Sequence, residues 1–330
     1  MFKSTCTFCL SIIVFVIGSS SCSTTPTPAQ ELTPITLQLS WTHSSQFAGY
    51  YAAVENGDYA NEGIEITFVE GGGSVDRINP IVNGEVQFGL ASGHNLLAAR
   101  EEGKPVRAIA TIYRRSAFVF FSLPDSGITR PEDFVGKTIQ IRTRARATLL
   151  EVMDNVGIAS ELYEEDADAG PDDLFSGEVD VATGWVTSQV LEAERAGIEL
   201  NVIYPDDYGV HFFNDTIFST EDFLAANPDL VTRFLRATLS GWRYTIENPD
   251  EAASLVEAYN PEADIAFETD SLIASIPFIH TGEGQIGWMK EDVWQGIYDV
   301  LHKQEVLSGT IDVEQVFSMD FLGEIYGEEP

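Results

Sequence analysis

The stretch Trp41-Thr42-His43-Ser44-Ser45-Gln46-Phe47-Ala48-Gly49-Tyr50-Tyr51 decides how this chain is read. It follows Ile35-Thr36-Leu37-Gln38-Leu39-Ser40, whose period of two predicts a half-buried strand. Ser44 and Ser45 offer a helix N-cap, and Phe47, Tyr50, Tyr51 and Val54 then fall on one helical face. Gly57 closes the helix, because glycine accepts the positive φ found past a helix C-terminus. A strand that runs into a tryptophan and turns at once into a helix makes a mouth for a ligand. The helix start offers free N–H groups and the indole a flat apolar face. Phe47 and Tyr51 read as core, whereas Trp41, Gln46 and Tyr50 are candidate contacts.

On the N-terminal side of this stretch, Lys3 precedes a mostly apolar run over 8–17 and then Gly18-Ser19-Ser20-Ser21-Cys22. A short positive region, a hydrophobic segment too short for a good membrane span and a small-residue cleavage site resemble a bacterial lipoprotein signal over 1–21. That resemblance makes Cys22 the lipidated first residue, and it places the protein outside the cytoplasm, anchored to a membrane face. A plain secretory peptide with Cys22 incidental is the alternative. All three cysteines, Cys6, Cys9 and Cys22, lie at this end, so the body is expected to hold neither an internal disulfide nor a thiolate metal site. Residues 22–34, rich in Ser, Thr and Pro, read as a flexible tether.

A chain of 330 residues allows about two domains. Its formal net charge of −34 repels nucleic acid and anionic lipid, so polyanionic partners are not expected.

Downstream, strand and helix patterns alternate. Strands are expected at about 35–40, 64–69, 86–90, 106–111, 117–122, 138–142, 179–183 and 199–203, and helices near 45–56, 74–83, 95–103, 146–156, 171–176 and 187–196. Beyond 217 the pattern is helical, over 220–226, 228–248, 249–259, 269–276 and 290–304. Strand–helix alternation implies mixed sheets with helices on both faces. Ligands in such folds sit on the turns outside the carboxyl ends of strands. Four turns fit, at 42–45, 91–95, 143–146 and 184–188. If two belong to each of two lobes, they face one another across a cleft that closes about a hinge, with crossings near 118–122 and 211–216.

No nucleophile elbow, phosphate-binding lysine loop or His-Glu-x-x-His is present. Gly71-Gly72-Gly73 reads either as an anion cradle or as a plain turn. His43, His94 and His211 would suggest metal if the cleft brought them together; hydrogen bonding or solvent is the simpler role, and no metal or cofactor is expected. Lys104, Lys137, Lys290 and Lys303 all miss the four turns, which leaves no evident Schiff-base nucleophile and argues against an enzyme. Aromatics are plentiful instead: Trp41, Tyr50, Trp185, Tyr208, Phe212 and Phe213 lie at or beside turns and suit a flat ring. Gly93, His94 and Asn95 on the second turn, Thr187, Ser188 and Gln189 on the fourth, and His211 and Asp215 farther on are candidates for its polar edge. Thr143 and Arg144 on the third turn, within Arg142-x-Arg144-x-Arg146, would favour an anion instead, or pair with the acidic surface.

The run Trp41…Gln46-Phe47-Ala48-Gly49-Tyr50-Tyr51-Ala52-Ala53…Gly57-Asp58-Tyr59…Glu62-Gly63-Ile64 resembles the opening of the substrate-binding proteins of ABC importers for thiamine pyrimidine precursors, nitrate, sulfonates or taurine. Gly184-Trp185-Val186-Thr187-Ser188-Gln189 is similar to their second-lobe ligand turn, with Ser188-Gln189 where many relatives carry Asn-Glu. Asp207-Tyr208-Gly209-Val210…Asp215-Thr216-Ile217-Phe218 is similar to their return crossing. Asn227-Pro228, Gly241-Trp242, Asn248-Pro249-Asp250-Glu251-Ala252 and Ile286-Gly287-Trp288-Met289 resemble their C-terminal helices. The resemblance implies an α/β, type II periplasmic-binding-protein fold, with mixed sheets flanked by helices and a ligand cleft between lobes at 35–122 plus 217–330 and at 123–216. It also implies a monomer that presents a small molecule to a membrane permease. A heteroaromatic ligand, a thiamine pyrimidine precursor or a riboflavin-like ring, suits the aromatic turns; a small anion such as an alkylsulfonate or nitrate is one alternative, and an enzyme like the pyrimidine-precursor synthases another.

Overall fold

Ile35, Leu37 and Leu39 are buried, as the alternation predicts, and they belong to or adjoin strand β1, Thr33–Gln38. The computed structural model describes residues 1–2, 31–142, 145–158, 163–165 (backbone only) and 171–327. The expected leader, lipidation at Cys22, and turn residues Thr143 and Arg144 lie outside these.

The other strands are β2 Ile64–Val69, β3 Phe88–Ala91, β4 Val106–Tyr113, β5 Phe118–Ser122, β6 Thr138–Gln140, β7 Tyr163–Glu165, β8 Ala182–Trp185, β9 Asn201–Ile203 and β10 Asn214–Thr220. The helices are α1 Ala48–Glu55, α2 Asp58–Asn61, α3 Asn79–Val82, α4 Gly93–Glu101, α5 Arg146–Asn155, α6 Asp172–Ser176 and α7 Leu191–Arg195. They continue with α8 Glu221–Ala226, α9 Pro228–Glu247, α10 Pro249–Ser254, α11 Ile265–Ile279, α12 Glu291–Lys303 and α13 Asp320–Tyr326.

A five-stranded sheet has the order β2-β1-β3-β10-β4. β1 is parallel to β2 and β3, and β10 runs antiparallel between β3 and β4. A three-stranded sheet, β8-β5-β9, is antiparallel, and β6-β7 form a parallel pair. Gln140 N–H donates to Val181 O (2.9 Å) and Val181 N–H to Thr138 O (3.1 Å), so β6 continues the β8 edge in parallel. The second sheet thus reads β7-β6-β8-β5-β9, the same pattern as the first with β5 in the place of β10. β5 follows β4 after four residues yet belongs to the second sheet, and β10 returns to the first. The crossings are therefore 114–117 and 204–213, a few residues from the expected positions, because β5 and β10 are full ladder strands.

Helix α3 is shorter than the expected 74–83. Asp76 accepts from Ile78 N–H and Asn79 N–H (3.0 Å each), which fixes the start late, beside Pro80. β7 and α13 had no clear periodic signal.

The core shows why the opening stretch needs its glycine. A Cβ on Gly49 would stand 2.1 Å from the Trp242 ring, and one on Gly241 would stand 2.1 Å from Gly49 O. α1 and α9 therefore touch backbone to backbone, with Trp242 and Tyr50 fully buried and edge-on at 5.7 Å.

Candidate functional site

The first turn leaves β1 at Ser40, a buried polar residue. Its Oγ donates to Asp215 Oδ1 (2.5 Å), and Gln46 Nε2 donates to Asp215 Oδ2 (2.6 Å) and to Ser40 Oγ (3.1 Å). Asp215, the second residue of β10 just past the return crossing, is 5 % exposed and holds a φ of 45°. That conformation is uncommon outside glycine, although Asp tolerates it better than most residues. Burial raises the Asp215 pKa, against the two hydrogen bonds and the nearby Arg77 charge, which lower it. Arg77, in the loop after β2, donates from Nη1 to Ser40 O (2.6 Å). Trp41 follows directly, 43 % exposed, its ring edge 3.5 Å from where a Cβ on Gly73 would lie.

The N–H groups of this turn are less free than the sequence suggests. Ser44 occupies the N-cap position without a side-chain bond; Glu268, on α11, instead accepts Ser45 N–H through Oε2 at 2.7 Å. Glu70 accepts His43 N–H (2.8 Å). Tyr50, expected as a contact, is core: its ring is fully buried between Phe68 and Trp242, because the close α1–α9 approach turns that face inward.

At the second turn, Gly93 N–H donates to Phe213 O (2.9 Å), and a Cβ there would meet Ile297 at 3.0 Å and Trp294 at 3.3 Å. Gly93 serves close packing, and its N–H is already engaged. His94 Nε2 lies 3.1 Å from Ser92 Oγ, with the Phe212 ring edge-on at 6.1 Å. Asn95, beside it, is half-buried.

The fourth turn leaves β8 at Trp185, 39 % exposed and edge-on to Phe118. Gln189 folds back over it: its Oε1 accepts Trp185 N–H (2.9 Å) and Ser188 Oγ–H (2.8 Å). Ser188 is thus tied to its neighbour, and Thr187, one residue earlier, is half-buried. The chain from Val186 to Val190 forms a wide π turn before α7.

Two helices from the C-terminal third draw the turns together in pairs. α11 packs against the first turn and against the π turn of the fourth. Beyond the Glu268–Ser45 bond, Arg195 at the end of α7 donates to Asp270 (2.8 Å) and Asp264 (3.2 Å), with its guanidinium 5.6 Å over the Phe267 ring. α12 packs against α4, which carries the second turn, and against α5, which follows the third. There Lys303 and Gln304 meet Glu151 at 2.8 Å and 3.0 Å.

Inside the crossings, His211 Nε2 faces Arg114 O at 3.1 Å, while Nδ1 and Arg115 both meet the Asp206 carboxylate. Burial works to raise the Asp206 pKa, but His211 and Arg115 outweigh it and hold the carboxyl below its usual range. His211 therefore links the two crossings. Tyr208 O accepts from Asn155 Nδ2 (3.0 Å), and its ring packs half-buried against the core. A depression lined by Gly209, His211, Asp292, Val293, Gly296 and Val300 lies beside α12 and lacks an exposed aromatic.

The three histidines do not converge. His43 Nδ1 meets Tyr51 OH at 2.7 Å, and its ring lies 5.2 Å from Tyr259; His94 and His211 keep the partners just given. Among the described residues no group of three His, Cys, Asp or Glu is placed to hold a metal. Each lysine beyond the N-terminal region pairs with an acid, at 2.7 Å to Glu102, 3.9 Å to Asp180, 3.0 Å to Glu283 and 2.8 Å to Glu151. The sequence reading missed Ser40, Arg77 and Glu268. Arg77 carried a signal: it is the only cation between Lys3 and Arg100.

Residues 44–252 match the family model described as NMT1/THI5 like. A riboflavin-binding protein of Chloroflexus aurantiacus is 28 % identical over 94 % of this chain and 95 % of its own. A formylaminopyrimidine-binding protein of Halalkalibacterium halodurans is 23 % identical over 94 % and 97 %. A 4-amino-5-hydroxymethyl-2-methylpyrimidine phosphate synthase of Legionella pneumophila is 26 % identical over 74 % and 79 %. Among solved structures, the putative periplasmic sulfonate-binding protein of Methylobacillus flagellatus superposes with a TM-score of 0.71 at 15 % identity, over 91 % of this chain and 96 % of that one. That likeness shows the periplasmic-binding-protein fold.

Proposed function

The chain belongs to the NMT1/THI5-like family, and from that premise we propose that it is the extracytoplasmic receptor of an ABC importer for a small heteroaromatic ligand, a thiamine pyrimidine precursor or a riboflavin-like ring. The observation that carries this reading is the pair of half-exposed indoles. Trp41 and Trp185 stay open at the carboxyl ends of β1 and β8, whereas Trp242 and Trp294 are fully buried. Open tryptophan at two turns that share α11 offers flat apolar faces on which a ring can stack. The riboflavin- and formylaminopyrimidine-binding relatives, matched over nearly their whole length, support the same chemistry.

In this reading the lobes divide at 114–117 and 204–213, and the ligand enters between the four turns. Gln46, His94, Asn95, Thr187, Ser188 and Asp215 surround its polar edge, while Tyr50, Gly93, Tyr208 and His211 act behind them, through packing and the crossings. The protein binds without chemistry, as a monomer tethered by residues 22–34 and a lipid on Cys22, and hands its ligand to a permease. Among the described residues no helix is long and apolar enough to cross a membrane.

Tryptophan fluorescence of the purified protein tests the ligand class. Riboflavin or formylaminopyrimidine should quench it saturably, and taurine should not. Saturable binding of taurine alone would overturn the reading in favour of the anion receptor. Incorporation of labelled fatty acid, lost in Cys22→Ser, tests the anchor.

A further inference from the structure

We propose that Arg77 determines ligand specificity by donating to a neutral carbonyl oxygen on the edge of the bound ring, and that the site selects against free anions. This rests on the reading of the Trp41 turn as a ligand contact.

Arg77 is joined to that turn by its hydrogen bond to Ser40 O, one residue before the exposed indole. A ring stacked on Trp41 brings its edge to the guanidinium. The group has five N–H donors in a planar fork. Among the described residues Arg77 makes one hydrogen bond and no ion pair within 4.0 Å. It is half-buried, on a chain where acids outnumber bases by 52 to 18 and the other cations readily find carboxylates. Its sequence neighbour Asp76 is taken up in starting α3, where it accepts three hydrogen bonds. Donors left open beside an open tryptophan are placed for an acceptor that comes from outside the protein.

Asp215 sets the sign of that acceptor. Its buried carboxylate lies close enough for its charge to act on Arg77, and both are held through Ser40. The pair is nearly neutral to an approaching ligand. A sulfonate or nitrate drawn to Arg77 also meets the field of Asp215. A ring carbonyl gains the guanidinium bond without that repulsion. Riboflavin offers such oxygens in its dione edge, and a formylaminopyrimidine offers one in its formyl group.

The test uses the full mature protein with riboflavin and taurine as probes, in wild type, Arg77→Ala and Arg77→Lys, with melting temperature as a fold control. The expectation is riboflavin binding weakened about 10- to 100-fold in Arg77→Ala, a smaller loss in Arg77→Lys, an unchanged melting temperature, and no taurine binding in any form. Equal riboflavin affinity in wild type and Arg77→Ala overturns this inference and leaves the receptor reading standing. Wild-type taurine binding that Arg77→Ala abolishes overturns the claim of a neutral acceptor. Failure of the wild type to bind riboflavin or formylaminopyrimidine overturns the receptor reading itself. Should Arg77→Ala melt early, Arg77→Gln, which keeps one donor and most of the bulk, decides by the same affinities.

Discussion

Glu268 caps Ser45 across 223 positions of sequence: its carboxylate accepts the first N–H of the turn that leads into α1. The cap is buried, and α11 carries it. Glu268→Ala leaves that N–H without an acceptor. It should cost about 1.5–3 kcal/mol of stability, read as a lower urea midpoint. Ligand affinity should fall as well, because Gln46 begins one residue later. A midpoint unchanged from wild type would show that water replaces the cap.

Asp215 is a carboxylate kept at a loss to stability. Its folded pKa is raised, so the folded state binds the proton more tightly than the unfolded chain. The penalty is fully present above the folded pKa, and stability should rise as pH falls from there toward the ordinary carboxylate range. Asp215→Asn keeps the shape and the positive φ. It should add about 1 kcal/mol at neutral pH while weakening binding of the cognate ring. Thermal melts at several pH values check the first part and titration the second; a variant less stable than wild type at pH 7 counts against it.

Asp206 behaves in the opposite sense. Despite burial, His211 and Arg115 depress its folded pKa, so its contribution is whole above the unfolded carboxylate value and disappears as pH falls through the lower folded one. Acid unfolding of Asp206→Asn should therefore begin from a lower stability at neutral pH and show a shallower decline. Parallel acid curves for the two proteins would contradict this.

Gly241 has no room for a methyl group, since a Cβ would lie 2.1 Å from Gly49 O and 2.7 Å from Ala53 Cβ. Gly241→Ala should destabilise the protein by about 3 kcal/mol or more through forced separation of α1 and α9. Near-ultraviolet circular dichroism of Trp242 reports the separation. A fully native spectrum and midpoint would refute it.

Arg195 meets Asp264 and Asp270 where α7 approaches α11, with all three side chains a third or more exposed. Such pairs add less than about 1 kcal/mol to stability. Arg195→Ala should leave the melt nearly unchanged yet speed ligand release, with the difference fading at high salt. Stopped-flow release rates at two ionic strengths decide.

The sequence made some of this plain and hid the rest for physical reasons. β1, its turn and α1 were legible because Ile35, Leu37 and Leu39 alternate and because Phe47, Tyr50 and Tyr51 keep helical spacing; both are local signals. Local spacing could not say how closely α1 would meet α9, so Tyr50 read as a candidate contact although the Gly49 approach packs it against Trp242. The Glu268 cap, the Asp215 cluster and the His211–Asp206 link join residues far apart in the chain, and composition leaves no trace of such pairings. Arg77 stood out only by its isolation among acids, a signal of charge and not of periodicity. Crossings expected near 118–122 and 211–216 fall on or against strands β5 and β10, whose membership in opposite sheets follows from hydrogen-bond ladders, which periodicity does not encode.

That exchange of strands bears on how the molecule is made. β10 lies between β3 and β4, so a ribosome has to deliver the chain through Thr220 before the first sheet can zip shut. Until then β3 and β4 are two unmatched edges waiting for the neighbour they share.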